Sequence, residues 1–214
     1  MFTYLPNLAE GIENTLVVTF GAFLIGSLLA IPLTALRMCP VPPLRWIAAS
    51  YIDLLRAIPP LTWIFLLYFG IATGSLQLEP VPAATISLGL IASAYLAEIY
   101  RAGVQGVARG QWEAATAIGL SPVTTIRRVI IPQATVIVTP PASTYLIGLL
   151  KESALASTIG AQEITFHAFT ESQKTFHSIQ IFSLAALLYI ALSIPLAVLS
   201  RWLSGRIARR LERA

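Results

Sequence analysis

Few side chains in this sequence are equipped for chemistry, so where they fall is informative. Ser143, Thr144 and Tyr145 place three hydroxyls in succession directly after Pro140-Pro141, inside a long apolar run. Each proline withholds a backbone donor and crowds the preceding turn. The pair is therefore expected to break a helix, leaving backbone carbonyls beside the hydroxyls. Ser93, Tyr95 and, one helical turn on, Glu98 form a comparable set in another apolar run, and Tyr68 stands near the end of a third. Such groups suit the passage of a polar solute, because each unpaired polar group costs several kcal/mol in hydrocarbon. Asp53 and Arg56, like Glu98 and Arg101, are spaced i, i+3, where a carboxylate and a guanidinium neutralise each other on one helix face. Glu98 thus has two readings: a contact for a substrate amino group, or a counter-charge for Arg101.

Catalysis finds no support. Ser143 and Thr144 have no histidine in a neighbouring apolar run, so no residue is assigned a catalytic role. His167 and His177 accompany Glu163 and Glu171, but their spacing fits no metal-ligand template. No metal site is assigned. A phosphate-cradling G-x-x-x-x-G-K-[ST] loop is missing, so this chain is not expected to hydrolyse nucleotide. Cys39 is the single cysteine and supports no intrachain disulfide framework.

The elements that must position these groups are membrane helices. Hydrophobic residues make up 56% of the 214-residue chain and charged residues 11%, and mean hydropathy is +0.76. A soluble domain carries about 25% charged residues. Five charge-free windows, at residues 15–36, 58–78, 81–97, 129–150 and 178–200, approach the roughly 20 residues needed to cross the hydrocarbon core. An all-α protein of five transmembrane helices is expected. The runs are continuous rather than alternating, which argues against a β-barrel. No basic region precedes the first window, so a cleavable leader is not expected. No internal repeat is evident, and residues 1–214 read as a single transmembrane domain.

Charge placement orients it. Arg37, Arg45, Arg56, Arg101, Arg109, Arg127, Arg128, Arg201, Arg206, Arg209, Arg210 and Arg213 fall on one side, twelve of the fourteen basic residues. Only Lys151 and Lys174 fall on the other. Basic flanks stay cytoplasmic, which puts the N-terminus outside and the tail inside. The net charge of +4 therefore reflects topology, not nucleic-acid binding. The terminal RWLSGRIARRLERA mixes Trp202, Leu203, Ile207 and Leu211 with arginines, as suits a helix lying on anionic lipid or an anchor that ends a span.

One connection is far longer than a span-to-span turn requires. Residues 101–132 contain the helix-favouring Glu113, Ala114 and Ala115, then Gly119 and Pro122, which stop or bend a helix. Glu113 is expected near the helix start, where the macrodipole favours an anion. Glu-Ala-Ala, three residues, Gly119, nine residues, then Val129-x-Ile131-Pro132 resembles the cytoplasmic coupling loop of permease subunits of ATP-binding-cassette (ABC) importers. That family has Ile and Leu where this chain has Val129 and Ile131. GIENTLVVT, LLRAIPPLTWIFLLYFG, AYLAEIYRAGVQGVARGQ, IIPQA and LLKESALASTIG extend the resemblance over residues 11–164 and narrow it to polar amino-acid uptake systems.

The resemblance implies a bacterial inner-membrane permease of the type I importer kind. It would translocate a polar amino acid or similar solute. It would pair with a second permease, itself or a paralogue, above two ATPase subunits that hold the ATP and Mg, and receive solute from an extracytoplasmic binding protein. No cofactor is implied in this chain. Glu113, Ala114, Ala115, Gly119 and Pro132 would couple to the ATPase. Tyr95, Glu98, Ser143, Thr144, Tyr145, Ser93 and Tyr68 are the expected pathway residues. In the family an asparagine followed by glutamate or glutamine stands where this chain has Thr144 and Tyr145, a departure that speaks against a strongly cationic substrate. Compact amino-acid derivatives, opines and compatible solutes stay open. A self-contained secondary transporter or channel is the alternative, which copurification with an ATPase would exclude.

The charge asymmetry makes a direct prediction. In a Cys39-free background, a cysteine at Gln111 should resist an impermeant thiol reagent added to intact cells and react once the membrane is opened. Labelling from outside would reverse the topology.

Overall fold

The computed structural model describes residues 2–71 and 78–211, and every described element is helical. Two short turns of chain lead in, α1 (Leu5–Ala9) among them, followed by α2 (Ile12–Arg37), α3 (Pro42–Ala57), α4 (Pro60–Ile71) and α5 (Pro80–Gln105). The long connection holds α6 (Arg109–Ala117), α7 (Pro122–Thr125) and a π-helical turn (Ile126–Ile130). Then come α8 (Ile131–Glu152), a 3-10 stretch (Ser153–Ile159), α9 (Ile164–Thr175) and α10 (Ser178–Leu211). Arg213 lies outside the described residues, as do the side chains of Ile207, Arg210 and Leu211 at the amphipathic tail.

The centre is a seam between α2 and α5. A Cβ at Gly26 would lie 2.5 Å from the Cβ of Ala92, and one at Gly89 would lie 2.9 Å from Ile25. Hydrocarbon supplies no hydrophobic drive between helices, so close backbone approach through small residues is what holds them. Thr34 adds a polar stitch, its hydroxyl bonding the Ala30 carbonyl at 2.7 Å and reaching the Ala97 carbonyl of α5 at 3.1 Å. Val18, Ala22, Leu88, Ile91 and Leu149 complete a buried cluster around this seam. Outward, α2 exposes Leu24, Leu28 and Ile31, and α10 exposes Leu187, Ile190 and Ile194, as lipid contact requires.

Among the described residues, three helical stretches are long and apolar enough to cross a membrane: Leu5–Arg37, Pro80–Gln105 and Ser178–Arg206. The expected second span, 58–78, takes another form. The chain bends by 99° between Pro42–Ala57 and Pro60–Gly70, and residues 72–77 of the window lie outside the described part. Proline explains the bend. Ile58 is extended (φ −97°, ψ 133°), as residues before proline prefer, and Pro59 has no N–H for the Leu55 carbonyl four residues back. The indole N–H of Trp63 reaches that carbonyl instead, at 3.2 Å.

The fourth window corrects the expectation of a broken helix. Pro140 and Pro141 sit inside α8, which runs without interruption from Ile131 to Glu152. Threonines line its length: Thr135, Thr139 and Thr144 each donate to the carbonyl four residues back, at 2.8, 2.6 and 3.1 Å. At about 1.5 Å per residue its 22 residues reach roughly 33 Å, but these polar groups leave it less apolar than the three long helices.

A second cluster closes the end opposite the long loop. Leu8, Ile164, Ala168, Ile181, Leu184 and Ala185 join α1, α9 and α10. Buried Glu163 caps α9 through the Phe166 N–H at 2.8 Å and accepts a hydrogen bond from the Tyr189 hydroxyl. Burial pushes its carboxyl above the usual carboxylate range, against the pull of those donors. His167 lies 3.9 Å from Glu10, and the ring of His177 is hydrogen-bonded to the Tyr4 hydroxyl at 2.9 Å.

The seam is testable. Gly26→Leu forces side-chain atoms into the α5 backbone and should cost about 1–3 kcal/mol, lowering the melting temperature in detergent. Gly148→Leu, where an added Cβ meets nothing within 4 Å, should leave the melt nearly unchanged. Equal effects would show that the seam is not what limits stability.

Candidate functional site

Where α3, α5 and α8 converge, three side chains stack. The Arg56 guanidinium ends α3 and lies 5.1 Å from the centroid of the Tyr95 ring on α5. Tyr95 in turn stacks on Tyr145 of α8, centroids 5.3 Å apart and planes 22° from parallel. Cation over ring and offset ring on ring are both favourable pairings for aromatic quadrupoles. The Tyr145 hydroxyl is buried and has no hydrogen-bond partner among the described residues. Spacing alone pairs Arg56 with Asp53, but the structure turns Arg56 to the tyrosine.

One turn along α5, Glu98 is held by guanidinium groups. Arg101 donates to its Oε2 from Nε at 3.0 Å and from a terminal nitrogen at 2.6 Å. Arg37, at the end of α2, brings its Nε to 3.6 Å from Oε1. Arg101 also donates to Gln105 at 2.7 Å. A 400 Å³ cavity opens here, with Arg56, Tyr95, Glu98 and Arg101 on one side and Ile137 and Pro141 of α8 on the other. Its walls are largely apolar, and its charge comes from a few convergent groups, the usual composition of a small-molecule site.

The expected pathway residues divide. Tyr95 and Glu98 line the cavity, and Tyr145 backs Tyr95. Ser143 is half-buried and Thr144 exposed on the same helix, the Thr144 hydroxyl turned to the Pro140 carbonyl. Ser93 is fully buried, bonds the Leu90 carbonyl at 2.6 Å and packs where α5 meets Gly26, so it faces the seam instead. Tyr68 packs edge-on against Phe69 at 5.0 Å and does not reach the cavity. Arg37 and Arg56 are the members that spacing does not reveal. Only the proline bend after α3 and the end of α2 bring them in.

The long loop is ordered by two devices. The first ends α6: Gly119 adopts φ +74°, its N–H bonds the Thr116 carbonyl, and the Leu120 N–H bonds the Ala115 carbonyl, both at 3.0 Å. This is the paired-bond helix stop that a left-handed glycine permits. The second is Gln133 in the first turn of α8. It donates to the Gln111 side chain at 3.1 Å and to the Val129 carbonyl at 3.0 Å, tying α6 to α8. Pro132 occupies the first turn of α8, where its missing N–H is tolerated.

Glu113 is not at the helix start. The α6 helix begins at Arg109 after extended Ala108, and Glu113 sits mid-helix, paired with Arg109 at 3.0 Å. Ala114 is exposed, whereas Ala115 is buried against the chain itself and Trp112 packs on Val107, Ile130 and Ala134. Past the helix, Ile118 and Val123 are each 75% exposed, an apolar tip that the Glu-Ala-Ala pattern does not announce.

Known proteins are similar to this chain in sequence and fold. Residues 22–213 match the family of binding-protein-dependent transport system inner membrane components. The probable amino-acid ABC transporter permease protein YckA of Bacillus subtilis (strain 168) is 36% identical over 203 residues, covering 95% of this chain and 90% of that protein. The L-cystine transport system permease protein TcyB of the same organism is 36% identical over 162 residues, 76% of this chain and 69% of that one. A chain in the crystal structure of an amino acid ABC transporter with histidines superposes with a TM-score of 0.90 at 32% identity, covering 96% of each chain. The protein thus belongs to the binding-protein-dependent transport system inner membrane components, the permeases of ABC transporters.

Proposed function

We propose that this chain is the membrane permease of an importer for an amino acid or amino-acid-like solute, driven by ATP hydrolysis in partner subunits. The observation that carries this reading is the continuity of α8. Its first turn holds Pro132 and Gln133, the anchor of the long loop. Its next turns supply Ile137 and Pro141 to the cavity, and Tyr145 stacks on Tyr95 beyond them. A force applied to α6 therefore reaches the polar site through a single helix. Named relatives handle amino acids and cystine, in keeping with a compact zwitterionic cargo.

The working assembly in this proposal has five crossings, with the bent α3–α4 pair and the threonine-lined α8 completing the three long apolar helices. Its N-terminus is extracytoplasmic, and its loop and tail are cytoplasmic, in the inner membrane. A second permease, identical or paralogous, pairs with it. Two ATPase subunits receive the α6 region, with exposed Ile118 and Val123 seated in them, and a solute-binding protein docks on the outer face. ATP and Mg belong to the ATPases.

The test is coupling. Gly119→Val strains a left-handed backbone position, and Gln133→Ala cuts the α6–α8 tie. Both variants should reach the membrane and copurify with the ATPase. Binding-protein-stimulated ATP hydrolysis in proteoliposomes should fall on the order of ten-fold, equivalent to ~1.4 kcal/mol of barrier. Unaltered stimulation in both variants, or no ATPase copurifying with the parent, would refute the coupling role.

A further inference from the structure

The cavity beside Tyr95 is unbalanced in charge. Arg56 and Arg101 line it with Glu98 as the lining carboxylate, and Arg37 approaches Glu98 at 3.6 Å. Arg101 engages Oε2 of Glu98 with two hydrogen bonds, while Oε1 lies 3.6 Å from the Arg37 Nε and has no hydrogen-bond partner among the described residues; the ion pairs offset the carboxylate's charge. Asp53 is exposed on the preceding turn of α3, and no ion pair joins it to Arg56 among the described residues.

Arg56 is the group left over. It contacts Tyr95 through the face of its guanidinium, and face stacking does not consume the N–H donors, which radiate in the plane. No protein acceptor engages those donors among the described residues. Their planar fork matches a carboxylate with two parallel hydrogen bonds. Tyr95, Ile137 and Pro141 provide an apolar wall for the remainder of a small solute. Pro141 also withholds the N–H that would otherwise bond the Ile137 carbonyl. A second cation entering beside Arg56 and Arg101 meets repulsion in a site of reduced dielectric.

We infer that Arg56 is a carboxylate contact in the pathway, and that the solute carried has a free carboxylate and no uncompensated cationic side chain. This rests on the permease reading above and narrows its substrate class. The minimal probes are propionate, its neutral isostere propionamide and the cation propylammonium. Saturation-transfer NMR on the permease–ATPase complex in phosphatidylcholine nanodiscs reads their binding without transport or a binding protein.

Propionate should give a saturable signal well above that of the other two. Arg56→Gln should weaken it roughly ten-fold, the loss expected for one charge-assisted fork, while Arg45→Gln, exposed on α3 away from the cavity, should leave it intact. If Arg56→Gln fails to assemble, Arg56→Lys keeps the charge without the fork, and the same weakening is expected. Three results would each overturn the assignment: equal signals from the three probes, undiminished propionate binding in the Arg56 variants, or weakening by Arg45→Gln as large as by Arg56→Gln. The last would mark a diffuse basic surface that inorganic phosphate occupies equally well. A complex that copurifies and hydrolyses ATP yet ignores propionate refutes this inference alone. Absence of an ATPase partner refutes the reading on which it rests.

Discussion

The near-contact of the α2 and α5 backbones at Gly26 and Ala92 forms the centre against which α3, α4 and α8 pack. In lipid, a buried leucine gains nothing by leaving acyl chains for another helix, so association depends on fit and on interhelical polar bonds. The α2–α5 pair meets both needs, with small residues along the seam and Thr34 bonded across it. Helix α8 then packs on the same α5, where an added Cβ at Gly103 would strike Val138. That second close approach brings Tyr145 within stacking distance of Tyr95. Widening the α5–α8 contact would separate the rings, whereas widening the α2–α5 seam would draw Arg37 away from Glu98.

A related constraint governs the irregular backbone. Each amide lost in hydrocarbon must be replaced by another donor. Trp63 replaces the N–H missing at Pro59, and Gln133 bonds the Val129 carbonyl at the wide turn before α8. Both replacements come from side chains within four residues of a proline, near enough that they need no tertiary partner. The bends can thus be encoded locally even though their consequences are long-range: one aims Arg56 at Tyr95, the other locks the loop to the wall of the cavity.

Much of this was legible in the residues. Charge-free windows and arginine placement report transfer energies, which depend on composition alone, and they marked α2, α5 and α10 well. Gly119 was legible because φ > 0 has few residue solutions. Window length failed at 58–78, because Pro59 and Pro60 act on direction, which hydropathy does not record. Proline misled in the opposite sense at Pro140-Pro141, which α8 accommodates without interruption. Ser93 and Tyr95 differ by two positions, hence by about 200° around a helix, so they could not both face one cavity. The partnership of Arg37 with Glu98 joins residues from separate helices and has no signature in spacing at all.

The end of the bundle opposite the long loop carries an implication for synthesis. The Thr15 hydroxyl donates to Gly11 within its own helix at 2.9 Å and accepts from the Ile164 N–H at 3.3 Å, across 149 positions of chain. Gly11 lies so close to the Glu163 backbone that a side chain there would collide with it. The N-terminal part of α2 therefore waits for a segment made much later. At about 5–20 residues per second the interval is on the order of ten seconds. During that time the Thr15 hydroxyl is satisfied by its own helix, and the oxygen lone pair that will take Ile164 is held in reserve. Helix α2 thus acquires its Ile164 partner only after the intervening helices have been made.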